Sequence, residues 1–260
     1  MEMNHVHRGS GKPLLLVHGL GSRWQSWDPI LEGLADQREV IAVDLPGFGE
    51  TPPLPGEVSV ATLADALTGF IEGHDLSGID QVGSSVGGRL VLELARRGVG
   101  GATVALNPGG FWSPGELRFF AVTIGLSIRL IRLLQPVMPA LTANRVTRTL
   151  LLLQLSARPW RLSHDVALQE MRSFADSPSF DALQRDLVHG PLQQGAASGT
   201  IARPVVICWG REDRLLFPRQ AGRAAAAFPD ARLEWFERSG HFPHWDRPQA
   251  TVRAILAATA

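Results

Sequence analysis

One cysteine, Cys208, stands in 260 residues, and that excludes an intrachain disulfide. It sits inside the apolar run "PVVICWG", where a buried structural thiol is expected in place of a reactive one. Net charge is also absent: 25 basic and 25 acidic side chains cancel. Nothing global therefore suggests nucleic acid or an acidic surface as partner. Lys12 is the only lysine, which reads as composition bias without functional content. No run of about 18 uncharged apolar residues occurs, so no spanning helix is expected. The opening stretch "MEMNHVHRGSGKP" has no apolar core, so no signal peptide is expected and the expected location is cytoplasmic. Its "GSGKP" resembles a phosphate loop but lacks a preceding strand and a Ser or Thr after the lysine. His5-x-His7 has no further ligands in its segment, so no metal site is expected.

What is present is alternation. Short apolar runs ("PLLLVHG", "EVIAVDLPG", "IDQVG", "GATVALNPGG", "RPVVICWG", "ARLEWFERSG") alternate with helical patterns such as "SVATLADALTGFIEG" and "VGGRLVLELARRG". That order predicts parallel βα units, hence an α/β fold: a mostly parallel sheet with helices on both faces. Ligands bind such sheets at the carboxyl ends of the strands. From about Trp112 to Ser198 no strand is predicted. Residues 112–198 read as a helical insertion between two parts of a core, 1–111 and 199–260. No internal repeat or low-complexity segment interrupts the pattern.

Three loops carry chemistry. In "VGSSVGG" only one frame fits G-x-S-x-G: Gly83-Ser84-Ser85-Val86-Gly87. A nucleophile on a sharp strand-to-helix turn makes the residues two before and two after it crowd each other, and glycine removes the clash. Ser85 is then the candidate nucleophile, with Ser84 as a hydrogen-bonding neighbour. The Val86 N–H would face the same space, where it can stabilise an oxyanion. The alternative is a glycine-rich turn with two solvated hydroxyls. A serine nucleophile needs a base and a group that orients the base. Asp213 follows one predicted strand and His241 the next, in the order Ser, Asp, His. His244 competes as base, but its proline and tryptophan neighbours suggest packing under the loop. In "HGLG" the Leu20 N–H is the second candidate oxyanion donor, and His18 is expected to brace the loop.

The set "LLLVHGLGS", "VIAVDLPGFGETP", "VGSSVGGRL", "WGREDRLLFP" and "SGHFPHWDRP" resembles the α/β-hydrolase superfamily. It is most similar to the esterase, lipase and haloperoxidase-like branch with a helical cap. The resemblance covers about two thirds of the chain, all of it outside the insertion. It implies an α/β-hydrolase fold with Ser85 as nucleophile, His241 as general base, Asp213 as its orienter, and Leu20 and Val86 as oxyanion donors. No cofactor and no metal are expected. Asp44 belongs to a structural "DLPGFG" turn. Relatives open with an antiparallel strand pair; only about a dozen residues precede "LLLVHG" here, so at least one of those strands should be short or missing. Dehalogenases and epoxide hydrolases of this fold carry Asp at the elbow, which Ser85 argues against.

The insertion bears on the substrate. Between Ser113 and Arg161, arginines 118, 129, 132, 145, 148, 158 and 161 stand against a single acid, Glu116, amid leucine and isoleucine. Either apolar faces pack on the core while the arginines face water, or an apolar acyl pocket lies under an arginine-rimmed lid. The second arrangement favours lipophilic esters or contact with anionic lipid surfaces. Phe111, Trp112, Leu216 and Phe242 adjoin the motif loops and are candidate pocket residues. The expected partner is a small-molecule ester. C–C bond hydrolysis, lactone opening, perhydrolysis or a non-catalytic receptor on the same frame stay open, because the pocket decides among them. Oligomeric state is not readable.

Overall fold

The computed structural model describes residues 2–260. The strands are β1 (His5–Arg8), β2 (Pro13–Val17), β3 (Glu39–Val43), β4 (Asp80–Ser84), β5 (Thr103–Leu106), β6 (Val205–Gly210) and β7 (Arg232–Phe236). They form one sheet in the order β1-β3-β2-β4-β5-β6-β7. All neighbours are parallel except β1, which pairs antiparallel with β3 from His5 opposite Val43 to Arg8 opposite Val40. A single four-residue edge strand therefore stands where relatives are expected to carry a pair.

Alternation along each strand sends successive side chains to opposite faces, and each face has its own core. Leu14, Leu16, Val40 and Ala42 pack with Leu34 of α1 (Asp28–Ala35) and Ile255 of α11 (Pro248–Ala258). Leu15, Val17, Ile41 and Val43 pack with Leu67 of α2 (Val60–Gly73) and Leu90 of α3 (Val86–Arg96). Burial on both faces explains why the strands read as unbroken apolar runs. Cys208 lies wholly buried in β6, and burial holds its thiol well above its ordinary pKa. The Ser59 hydroxyl starts α2 by accepting from Thr62 N.

Between β5 and β6 there is no strand. Five helices fill the segment: α4 (Pro114–Leu133), α5 (Met138–Ala143), α6 (Arg145–Leu152), α7 (His164–Asp176) and α8 (Phe180–His189). Ile131, Met138, Leu152 and Met171 from these helices share a third core with Phe242 and Trp245 of the main unit. One expectation fails here. Arg148 does not face water: it is buried, its Nη1 donating to Thr142 O at 2.6 Å and its Nη2 to Trp160 O at 3.5 Å. A guanidinium carries enough donors to tie two carbonyls, so an arginine in an apolar helix can serve as a strut. Two short helices complete the chain, α9 (Gln220–Ala227) and α10 (Pro243–Asp246).

The chain leaves β2 towards β3 on one side and reaches β4 on the other. The carboxyl ends of β2 and β4 thus flank the point where strand order reverses, which is where open α/β sheets bind ligands. The "HGLG" loop follows β2 and Ser85 follows β4.

Candidate active site

Ser85 joins β4 directly to α3. Its backbone sits at φ 57°, ψ −113°, a conformation that costs an L-residue free energy and persists only where the surroundings enforce it. Here Ser85 N donates to Leu106 O at 2.9 Å, and Ser85 O accepts from Arg89 N at 3.0 Å and Gly109 N at 3.1 Å. The crowding argued from sequence is visible: a Cβ on Gly83 would overlap Gly87 O, and one on Gly87 would overlap Val17 O and His18 O. A Cβ on Gly19 would lie 3.2 Å from the Ser85 Cβ, so the loop after β2 closes tightly over the serine. Ser84 does not line the cavity beside Ser85, and its hydroxyl is buried without a hydrogen-bond partner among the described residues, contrary to the role expected for it.

His241, on the loop after β7, is buried, and its Nδ1 lies 2.9 Å from Asp213 Oδ2. With Nδ1–H donating to the carboxylate, the lone pair of Nε2 is left over, and Nε2 has no partner among the described residues. Asp213 is held by more than His241. Its Oδ1 accepts from Leu215 N at 2.8 Å and Leu216 N at 2.9 Å. Its Oδ2 also accepts from Asn107 Nδ2 at 2.6 Å. Asn107, just past β5 with φ 45°, is wholly buried, and its Oδ1 accepts from Gly210 N at 3.3 Å. Sequence reasoning missed this residue. Its only signal is an Asn at the end of a predicted strand, and its partner lies more than a hundred positions away.

The other two histidines near the motifs are structural. His18 Nε2 accepts from Leu45 N at 3.0 Å while Nδ1 donates to Gly19 O at 2.8 Å; burial lowers its pKa. Asp44 caps the same region, accepting from Trp24 N and Asn4 Nδ2, both at 2.7 Å. His244 is buried against Trp27, ring centroids 4.6 Å apart, and burial pushes its pKa down to about 3. His5 meets Glu2 and His74, their ligand atoms within 4.8 Å of one another. Sequence spacing hid this because the end of α2 brings His74 to the edge strand. None of the three lines the cavity beside Ser85.

That cavity has a volume of about 540 Å³ and lies between the sheet and the five helices. Ser85, Val86, Leu20 and His241 form its polar end, and Trp112, Leu216 and Phe242 also line it. Phe111 does not. Its ring is buried edge-on to Phe228, centroids 6.3 Å apart, and its carbonyl accepts from Arg223 Nε at 2.6 Å. Adjacency in sequence to Trp112 could not reveal that the two side chains diverge. The rest of the wall is apolar, including Phe120, Ile128, Met171 and Phe174. Its one cation, Arg214, is exposed at the rim, with Nη1 donating to Leu153 O at 3.1 Å.

Helix α7 grips the loop that carries Leu20. Ser173 and Ser177 both donate to Gly21 O, at 2.7 and 3.2 Å, and the Ser22 hydroxyl donates to Glu170. Glu170 is fully buried, and desolvation, partly offset by Ser22 and Arg23, pushes its pKa up from 4.5 to about 7. The folded chain therefore holds this proton more tightly than the unfolded chain does. The stabilisation it contributes is complete below pH 4.5 and is lost as pH rises through about 7. Across that window the wild type is expected to lose about 3 kcal/mol relative to Glu170→Gln. Urea unfolding of both proteins at several pH values measures the difference, in which the opposite contribution of His244 cancels. Parallel pH profiles would show that Glu170 titrates normally.

The chain belongs to the alpha/beta hydrolase family, whose model matches residues 14–254. An uncharacterized protein of Mycobacterium tuberculosis is 29% identical over 261 residues, 95% of this chain and 75% of that protein. The 2-hydroxy-6-oxononadienedioate/2-hydroxy-6-oxononatrienedioate hydrolase 1 of Dechloromonas aromatica is 25% identical over 269 residues, 98% of this chain and 90% of the other. The structure of a thermophilic esterase from Thermogutta terrifontis superposes with a TM-score of 0.76 at 22% identity, covering 98% of this chain and 92% of that one.

Proposed function

We propose that the protein is a serine hydrolase of carboxylic esters with lipophilic acyl groups. The observation that carries this reading is the strained Ser85 at the polar end of an apolar cavity, with an Asp213-anchored His241 beside it whose Nε2 is unpartnered. In this reading α4–α8 form a cap over the acyl pocket.

Ser85 Oγ attacks the ester carbonyl carbon while His241 Nε2 takes its proton. The carbonyl oxygen becomes an oxyanion held by the N–H groups of Leu20 and Val86. Each such donor typically contributes about 3 kcal/mol in the transition state. As the tetrahedral adduct collapses, the C–O bond to the alcohol breaks and His241 gives its proton to the departing oxygen. Water then attacks the acyl-enzyme, passing a proton to His241, and the second collapse returns that proton to Ser85 and releases the acid. Asp213 keeps the imidazole in one tautomer and stabilises the imidazolium, and Asn107 positions Asp213.

The similarity to a dienedioate C–C hydrolase keeps a second reaction on the same residues in view. The cavity favours the ester. A dicarboxylate entering it meets no buried cation, since the only one on its wall is the exposed Arg214. Burying an unpaired carboxylate costs several kcal/mol. A series of p-nitrophenyl esters tests the reading. Each added methylene that enters the pocket is expected to raise kcat/KM about fourfold, the equivalent of about 0.8 kcal/mol, until the cavity is full. A flat profile, or acetyl alone accepted, would sink the apolar-pocket reading. Faster turnover of a vinylogous diketone than of any ester would move the assignment to C–C cleavage.

A further inference from the structure

The outer surface above the cavity carries a row of exposed apolar side chains. On α4, Phe119, Val122, Leu126, Leu130 and Leu133 are exposed and recur every three or four residues, forming one stripe. On α6, Val146 and Leu150 are exposed as well, and Leu153 follows. Single exposed leucines mean little, but a row of them on adjoining helices marks a surface that meets something. The stripe continues into the cavity: Phe119, Leu126, Leu150 and Leu153 are exposed and also line it. Thr123 and Gln154, hydrogen-bonded at 3.0 Å across the gap, link α4 to the end of α6 there. The mouth of the cavity therefore opens within the apolar surface.

Charge decides what covers it. Arg118 and Arg129 flank the stripe, and Arg145 starts α6; all three are exposed and form no ion pair among the described residues. The only acid among residues 113–161 is Glu116, which is buried and bound by Arg219 and Arg223. Arg132 is neutralised by Asp181 at 3.0 Å. A second copy of this chain, docked about a two-fold axis, would set these arginines against themselves. An anionic, apolar surface satisfies both features.

We infer that the α4–α6 face docks on anionic lipid surfaces, with the cavity mouth turned into the lipid. The docking stands on the surface alone; that an acyl substrate then reaches Ser85 from the lipid without crossing water rests on the ester-hydrolase reading. Amphipathic helices with arginines beside an apolar face bind interfaces in this way, and each basic residue near an anionic leaflet adds to the affinity.

Full-length Ser85→Ala protein, which leaves the lipid intact, is sedimented with phosphatidylcholine vesicles with or without phosphatidylglycerol. Partitioning is expected to be at least about tenfold stronger with phosphatidylglycerol and to weaken as salt rises. Adding Leu130→Glu and Leu133→Glu is expected to reduce partitioning about tenfold or more. Neither residue lines the cavity, so the same pair in the wild-type background should leave hydrolysis of a short soluble ester unchanged. Equal sedimentation with and without vesicles, or partitioning indifferent to the leucine pair, would overturn the inference. So would a dimer in sedimentation velocity that the leucine pair dissolves, since the face would then belong to a second copy. Vesicle binding by a protein that hydrolyses no ester would uphold the docking surface and remove the ester reading; ester hydrolysis without vesicle binding would do the reverse.

Discussion

Ser85→Ala is expected to lower kcat towards an activated ester by roughly 10⁶-fold while leaving the fold intact. The size follows from the way the three residues act together: without Oγ there is no acyl-enzyme, and His241 has no proton to take. Only the weak rate enhancement from oxyanion donors and binding survives, a residual on the order of 10³-fold over water. The substitution removes one oxygen that the fold does not use. The strained backbone at Ser85 is held by its own N–H and carbonyl bonds to Leu106, Arg89 and Gly109, and these remain. Thermal and urea unfolding should therefore match wild type. Burst kinetics should show the wild type releasing one equivalent of alcohol rapidly and the variant none. A variant that keeps a tenth of the activity would remove Ser85 from the mechanism.

Gly87→Ala is expected to destabilise the protein by more than about 4 kcal/mol, enough to prevent folding of many domains. The methyl would meet the carbonyl oxygens of Val17 and His18, which are backbone atoms at the end of a central strand and cannot swing aside. Relief would require moving β2 or α3, and both are packed on two faces. Gly69→Ala provides the contrast. Nothing lies within 4 Å of a Cβ placed there, on the exposed side of α2, and helix propensity should raise stability by about 0.5–1 kcal/mol. Soluble yield and urea midpoints of the two variants measure the difference. A Gly87→Ala protein as stable as wild type would mean that the elbow is looser than its contacts indicate.

The frame of this molecule was readable because its signals are local. Apolar runs of strand length, the helical spacing of "SVATLADALTGFIEG" and glycines two residues either side of Ser85 each act over a few positions. Six of the seven strands, β2 to β7, and their alternation with helices follow from such signals; the short edge strand β1 does not. The convergence of Ser85, Asp213 and His241 on one region was legible because each ends a strand of the same parallel sheet. What failed to show depended on contacts between distant segments. Asn107 reaches Asp213 across 106 positions, and Ser22 reaches Glu170 across 148. Side-chain direction was equally hidden. Phe111 and Trp112 are neighbours in sequence, yet only Trp112 reaches the cavity, and Arg148 shares the composition of the exposed arginines while its guanidinium turns inward to carbonyls.

The clasp between α7 and the loop after β2 has a mechanical consequence. Gly21 O and Ser22 belong to the same short loop as Leu20, so raising α7 would pull on the backbone whose N–H the proposed mechanism aims at the oxyanion. Ser179 N adds a tether at Gly47 O, 3.1 Å away. The two halves of the helical layer are thus fastened at different points. α7 and α8 are bolted to the chassis of the site, whereas α4 is held through Glu116 to Arg219 and Arg223, and the segment after α6 through Ser156 and Ala157 to Asp246. A displacement of α7 therefore reaches the Leu20 loop directly, and one of α4 reaches it only through the core that the helices share.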